Sequence, residues 1–213
     1  ILKIEATMSV YKCKYFKIQE LVCNHVMQSY SEEQIWSFLD EDLKKTLDII
    51  YVDNNNGNDQ NTGESETTPV RTFSRALDGI RNGGTIILLS NCVETNRVFF
   101  DKTVTVAGKS NDSSVTLTGN QNWYIDPNIT VTLSNISIKT AGIFPYKEKP
   151  GKPGNLVLDT VKNANIKEIN GLSAVTLNDS KIACPTITAN KVELKNNTEL
   201  NGRFLTDNLT IDG

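Results

Sequence analysis

Short runs of alternating apolar and polar residues recur along the C-terminal half of the chain, most of them ended by an Asn or Asp turn. Leu133, Leu158, Leu177, Leu194 and Ile211 each sit in such a run, and the steps from Leu158 onward are nearly equal. A unit of roughly 20 residues cannot bury its own apolar face and must stack on its neighbours to form a core. The pattern therefore predicts a solenoid of short strands. Ile129 to Ile138 reads as two strands turned at Ser134-Asn135, and earlier rungs fall at Arg97–Phe100, Thr103–Val106, Ser114–Thr118 and Trp123–Ile125. Alternating Val/Thr and Leu/Thr suit a half-buried strand, because β-branched residues pack on a pleated face while Thr meets water. Asparagine repeated at equivalent turns predicts side-chain hydrogen-bonded ladders along the stack.

The periodicity changes towards the N-terminus. Ile18, Leu21, Val22 and Val26 recur at helical spacing, Ser31-Glu-Glu-Gln34 has the form of a capping box, and Asp40 is placed to cap a further helix carrying Leu43, Leu47 and Ile50. Residues 1–49 are thus expected to form a helical subdomain. Residues 50–90 read as a cap: a strand at Ile50–Asp53, an Asn/Gly/Asp turn cluster, a helix with Thr72 as N-cap ended by Gly83-Gly84, and a buried strand at Thr85–Leu89. Residues 91–213 supply the rungs, and the ladder is expected to continue past Gly213.

Chemistry-bearing residues change this picture little. The formal charge of −3 gives no basic footprint for nucleic acid or anionic lipid. No apolar run approaches the roughly 18 to 20 residues that span a bilayer, and the opening ILKIEATMSV lacks the regions of a signal peptide. Cys13, Cys23, Cys92 and Cys184 are too scattered for a disulfide framework and read as reduced thiols. Cys13, Cys23 and His25 lack zinc spacing and a fourth ligand. Asp53 to Glu64 superficially matches a calcium loop, but a strand precedes it where a helix is required, so a turn is the preferred reading. No metal or cofactor is expected. The Asn-x-Ser/Thr triplets follow from the Asn-rich turns and are not read as glycosylation sites.

Two stretches carry resemblances. Tyr51-Val-Asp53, Asn56-Gly-Asn-Asp59, Asn61-Thr-Gly63, Pro69, Thr72-Phe73, Ala76-Leu77 and Gly83-Gly-Thr-Ile86 resemble the DUF1565-type opening of pectate-lyase-like β-helices. That resemblance implies a mainly β fold, a right-handed parallel β-helix with a small N-terminal α-helical subdomain, in which the cap helix plugs the first coil. Leu89-Ser-Asn-Cys92 replaces the Gly-x-Tyr usual in that family. Residues 11–50 resemble the helical lead-in of phage-borne M15-type peptidoglycan peptidases, with Tyr15-Phe-Lys17, Glu20-Leu-Val22 and Trp36-x-Phe38-x-Asp40. The chain has a single His and no His-x-x-x-Asp pattern, so the zinc peptidase activity does not carry over; the resemblance implies a phage or prophage setting.

Between rungs, Ala141 to Gly154 holds three prolines and a local Lys excess, and reads as a loop thrown out from the wall. Phe144, Tyr146, Lys147, Lys149 and Lys152 are the candidate binding residues on it, suited to an acidic sugar or a neighbouring subunit; an ordinary solvated excursion is the alternative. Asp126, Asp159, Asp179 and Glu193 are the acids on the ladder, mostly at turns, and no catalytic residues are assigned, since a glycosidase needs two facing carboxylates. The combined expectation is a non-enzymatic virion protein of tail-spike or tail-fibre type. It would attach by its N-terminal region to other tail proteins, form a homotrimer and present the β-helix to host-surface glycan, with no nucleic-acid partner and no membrane insertion. The alternatives are a polysaccharide-degrading β-helix enzyme with its active residues outside these, and a bacterial surface adhesin.

Overall fold

The computed structural model describes residues 46–109 and 115–212. Of the helical subdomain expected over residues 1–49, residues 1–45, with Cys13, Cys23 and His25, lie outside the described residues, whereas Leu47 and Ile50, expected on a helix, lie in a strand because pairing with the strand that follows the cap helix draws them into the sheet. From Thr46 onward the chain is one compact unit. It opens with β1 (Leu47–Val52), α1 (Phe73–Gly79), β2 (Ile80–Leu88), β3 (Cys92–Glu94) and β4 (Val98–Phe100). The second coil is β5 (Val104–Gly108), β6 (Thr116–Gly119) and β7 (Trp123–Ile125); the third is β8 (Thr130–Ser134), β9 (Ser137–Thr140) and β10 (Ile143–Pro145). Then come β11 (Asn155–Asp159), β12 (Asn163–Ile166), β13 (Ile169–Asn178), β14 (Lys181–Lys195), β15 (Glu199–Leu205) and β16 (Asn208–Asp212).

Every strand pairs in parallel with the strand one coil away, and the result is a parallel β-helix with three faces. On the first face the register runs Ile50, Ile86, Val106, Leu133, Leu158, Leu177, Leu194, Ile211. The five positions read from the sequence as a ladder are therefore one column of directly stacked side chains. Cys92, Leu117, Ile138, Ala164, Ile182 and Leu200 form the matching column on the second face. Val98, Trp123, Ile143, Ile169, Ile187 and Phe204 form it on the third. The buried members of these columns make one continuous core, with Leu194, Leu200 and Phe204 partly buried against it and Ile211 exposed, and each fully buried aliphatic side chain in it contributes about 1.5–3 kcal/mol.

The corner between the first and second faces explains the Asn/Asp turns. Asn135, Thr160, Asp179 and Asn196 occupy it in successive coils, all with positive φ (53°, 53°, 44° and 51°), a region Asn and Asp tolerate better than other side chains. Each of these amides donates to the carbonyl one coil on: Asn135 to Asp159, Thr160 to Asn178, Asp179 to Lys195 and Asn196 to Asp212. One residue earlier, Asn178 Nδ2 donates to Asp159 Oδ1 at 2.6 Å and Ser134 Oγ to Asp159 Oδ2 at 3.3 Å. Asn196 Nδ2 in turn donates to Asn178 Oδ1. The expected ladder exists, built from Ser, Asp and Asn together. Beneath it the buried Ser180 hydroxyl accepts from the Val161 amide.

Two further boundaries differ from expectation. The cap helix stops at Gly79, and Ile80 already lies in the strand, leaving Gly83 at φ +82° to bend that strand. Gly83-Gly84 therefore marks a bend in β2, because Ile80 is needed in the core and the chain turns extended to bury it. Thr72 is the N-cap as expected, accepting from the Arg75 amide at 3.2 Å. Likewise Ile143-Phe-Pro145 is a strand rather than loop, paired with Trp123–Ile125. Pro145 is tolerated at its end, where pairing with β13 extends only to Ile143–Ile169. The excursion is confined to residues 146–154.

The cap is fastened by carboxylates. Asp59 accepts from the Arg71 and Thr72 amides at 2.8 Å each and from the Thr72 hydroxyl at 3.0 Å. Burial pushes its carboxyl up, but these bonds outweigh that and hold it below the ordinary range. Glu94, buried on the second face, receives the Ser74 hydroxyl at 3.0 Å at the start of α1. Phe73 of that helix meets Phe100 edge-on at 6.2 Å, joining cap to core.

Candidate functional site

On a strand, residues alternate between core and outside, so each buried pair on the third face flanks one outward residue. In the first three coils that residue is aromatic: Phe99 between Val98 and Phe100, Tyr124 between Trp123 and Ile125, Phe144 between Ile143 and Pro145. Parallel register stacks them. Phe99 and Tyr124 lie nearly parallel with ring centres 5.2 Å apart, and Tyr124 and Phe144 are 6.2 Å apart at 35°. Tyr146, just past β10, stands almost perpendicular to Phe99 (5.4 Å, 83°) and steeply to Tyr124 (6.4 Å, 74°). Phe99 is 44% exposed although large and apolar. The face is thus an aromatic wall, not a covered interior.

This wall bounds an open cleft of about 520 Å³, lined also by Arg97, Asn122, Pro145, Lys147 and Glu148. The volume is within the range of small-molecule sites. Its rim is held in place by several contacts. The Tyr146 amide donates to the Ile125 carbonyl at 2.8 Å. Asn128 exchanges bonds with Lys152: its amide donates to the Lys152 carbonyl at 3.0 Å, and its Oδ1 accepts from the Lys152 amide at 3.3 Å. Lys149 reaches back to pair with the buried Asp126. The Tyr146 hydroxyl donates to Glu148 Oε2 at 2.6 Å, and this bond, with a smaller contribution from burial, holds its phenol above the ordinary value.

The five candidate residues therefore divide. Phe144, Tyr146 and Lys147 come together on the cleft. Lys149 is turned to Asp126 and acts as the loop's fastening, and Lys152 contributes its backbone to the loop's base. Sequence reasoning missed Arg97, Phe99, Asn122 and Tyr124. Their signal was present as three triplets of apolar, outward aromatic and apolar residues, at positions 98–100, 123–125 and 143–145. Aligning those triplets would have found the wall.

The ladder acids do not assemble into a site. Asp126 serves Lys149, and Asp159 serves the Ser134/Asn178 ladder. Asp179 sits at the positive-φ corner. Glu193 lies on the first face between Lys191 and Lys195, whose hydrogen bonds bring its carboxyl down to about 2. None lines the cleft, whose one carboxylate is Glu148; the pair of flanking carboxylates that glycoside hydrolysis uses is not found there. Among the described residues no group of three or more His, Cys, Asp or Glu is placed to hold a metal ion. In the Asp53 loop, Asp53 Oδ1 accepts from the Asn55 and Asn56 amides and from Ser90 Oγ. Burial raises its carboxyl, and these bonds, together with the Asn56 side chain, bring it net below the ordinary range. Cys92 is buried, and its thiol is pushed up to about 12 by that burial and by the neighbouring carboxylates of Glu94 and Asp53, which makes it a poor nucleophile.

Comparison with known proteins found no matching family model, no similar curated protein and no similar solved structure. Chemically, what the cleft offers is ring edges and faces, two cations, an amide, two phenols and one carboxylate on a rigid wall. That set can bind a molecule with apolar faces and many hydroxyls.

Proposed function

We propose that this chain is a non-enzymatic attachment protein whose β-helix recognises host-surface glycan through the cleft on its third face. The observation that carries this reading is the outward-facing aromatic wall of Phe99, which is exposed, and Tyr124, Phe144 and Tyr146, which are half-buried. A sugar ring has an apolar face that stacks on aromatic rings and a rim of hydroxyls that Asn122 and the phenols can meet. Mounting the wall on stacked coils fixes its geometry before ligand arrives, which lowers the ordering cost of binding. The cleft's lone carboxylate, already accepting the Tyr146 hydroxyl, is consistent with recognition without cleavage.

The wider setting follows the sequence resemblances. The pectate-lyase-like reading, with a DUF1565-type cap, is supported by the fastened strand–loop–helix–strand unit at the head of a parallel β-helix. The phage reading, a virion tail-spike or tail-fibre protein that is trimeric and attached by its N-terminal region, rests on the residues 11–50 resemblance. The test is an array of bacterial surface polysaccharides probed with the labelled protein and with its Tyr124→Ala variant, followed by assay of bound members for released reducing ends or unsaturated sugars. Retention without release, lost in the variant, is the expected result. Release of products makes the protein an enzyme, and retention unchanged by Tyr124→Ala removes the cleft from the account. Mass measurement in solution tests the trimer, and a monomer contradicts it.

A further inference from the structure

We infer that the cleft selects a saccharide bearing a carboxylate, with Arg97 as the group that reads the charge. This rests on the glycan reading above and adds its chemical class. Arg97 directly precedes β4, is exposed, and lines the cleft beside Phe99. Among the described residues, neither its side chain nor that of Lys147 has an ion-pair or hydrogen-bond partner. Several cations elsewhere on the coils are occupied: Lys149 by Asp126, Lys109 by Glu66, Lys102 by the last carbonyls of α1, Lys191 and Lys195 by Glu193. Glu148, the one anion in the cleft, is drawn to the Tyr146 hydroxyl. A chain with net charge −3 thus presents a locally positive cleft.

The two cations differ in what they offer. A guanidinium is a flat fork of donors that matches a carboxylate with two parallel bonds and stacks against rings. Lys147, at the opposite coil of the wall, is a point charge on the rim. With aromatic rings excluding water on one side, the Arg97 pairing is stronger than at an open surface, while remaining sensitive to salt. A sugar stacked along Phe99, Tyr124 and Phe144 would lie in the cleft that Arg97 and Lys147 both line, so a carboxyl substituent on it would meet a cationic lining.

The experiment uses acidic surface oligosaccharides in pairs with their carboxyl-reduced neutral counterparts, titrated against the wild-type chain, Arg97→Gln, Arg97→Lys and Tyr124→Ala at low and moderate salt. The expected outcome is that acidic members bind and their neutral partners do not. Arg97→Gln then weakens binding by roughly 10- to 100-fold, Arg97→Lys recovers part of it, and added salt weakens the wild type more than Arg97→Gln. Thermal unfolding of the Arg97 variants stays at the wild-type value. Equal binding of acidic and reduced members, still lost in Tyr124→Ala, overturns the charge inference and leaves the glycan reading standing. Binding of no member overturns both.

Discussion

The first three coils and the last three share one inward register yet carry different outer surfaces. Past the cap's own step from Ile50 to Ile86, the two longest steps along the first-face column run from Val106 to Leu133 and from Leu133 to Leu158, and the steps shorten from Leu158 to Ile211. Those long steps contain the chain around Trp123-Tyr124 and the 146–154 excursion, the two pieces that complete the cleft. On the third face the outward column reads Phe99, Tyr124, Phe144 in the early coils and Asn170, Thr188, Leu205 in the later ones. Conversely, the corner ladder is a continuous polar chain only from Ser134 onward. The short coils are close to the minimum that three strands and their corners need. The 146–154 excursion, which goes beyond that minimum, adjoins the aromatic wall, as expected of a scaffold that carries a site at one end.

The largest expected effect probes an early and a late member of one column. Trp123 and Phe204 hold equivalent inward positions on the third face, but Trp123 is fully buried, with Gly119 leaving room for its indole, while Phe204 is half-buried. Trp123→Ala should cost about 3–5 kcal/mol, and Phe204→Ala less than half as much; urea unfolding measures both. Equal losses would mean the late coils are as tightly packed as the early ones.

A smaller effect is expected at the corner ladder. Asn178 donates to Asp159 and accepts from Asn196, so Asn178→Ala should destabilise by about 1 kcal/mol, with no effect on ligand retention. Thr160 is the β-branched member of the positive-φ column, a conformation that costs L-residues roughly 1–2 kcal/mol. Thr160→Asn should therefore stabilise the fold by up to about 1 kcal/mol in the same urea titration; a loss would contradict the assigned corner geometry.

The smallest effect is one of pH. Lys191 and Lys195 hold Glu193 at about 2 against an ordinary 4.5. Because the folded value is the lower one, the stabilisation is full above the ordinary value and disappears as pH falls from about 4.5 towards 2. Glu193→Gln should flatten the stability profile across that interval. An unchanged acid limb would mean the Lys pairs are screened away in solution.

How much could be read in advance depended on whether a feature is local. Inward positions of the first face were legible because they must be apolar at every coil, so Leu133 through Ile211 stand out by period alone. The Thr72 cap was legible because its partner, the Arg75 amide, lies within the first turn of the same helix. The helix end was misplaced because a tertiary demand, burial of Ile80, overrode the local glycine signal. The strand Ile143–Pro145 was hidden by its proline, and its partner Trp123–Ile125 belongs to the preceding coil. The aromatic wall was the least legible feature. Its members touch only after the coils stack, and Lys149, whose charge pointed to binding, finds a buried carboxylate in Asp126, before the third coil begins. Local charge was a weaker guide to the site than the outward position within repeated triplets.

The central claim is that the working surface lies on the early coils and the late coils only support it. It is tested most directly by titrating a glycan retained by the wild-type protein against Tyr124→Ala and Thr188→Ala, equivalent outward positions in an early and a late coil of the same face. The account predicts at least about a tenfold loss for Tyr124→Ala and wild-type affinity for Thr188→Ala, with both variants folded. Loss at Thr188 with retention at Tyr124 would contradict it.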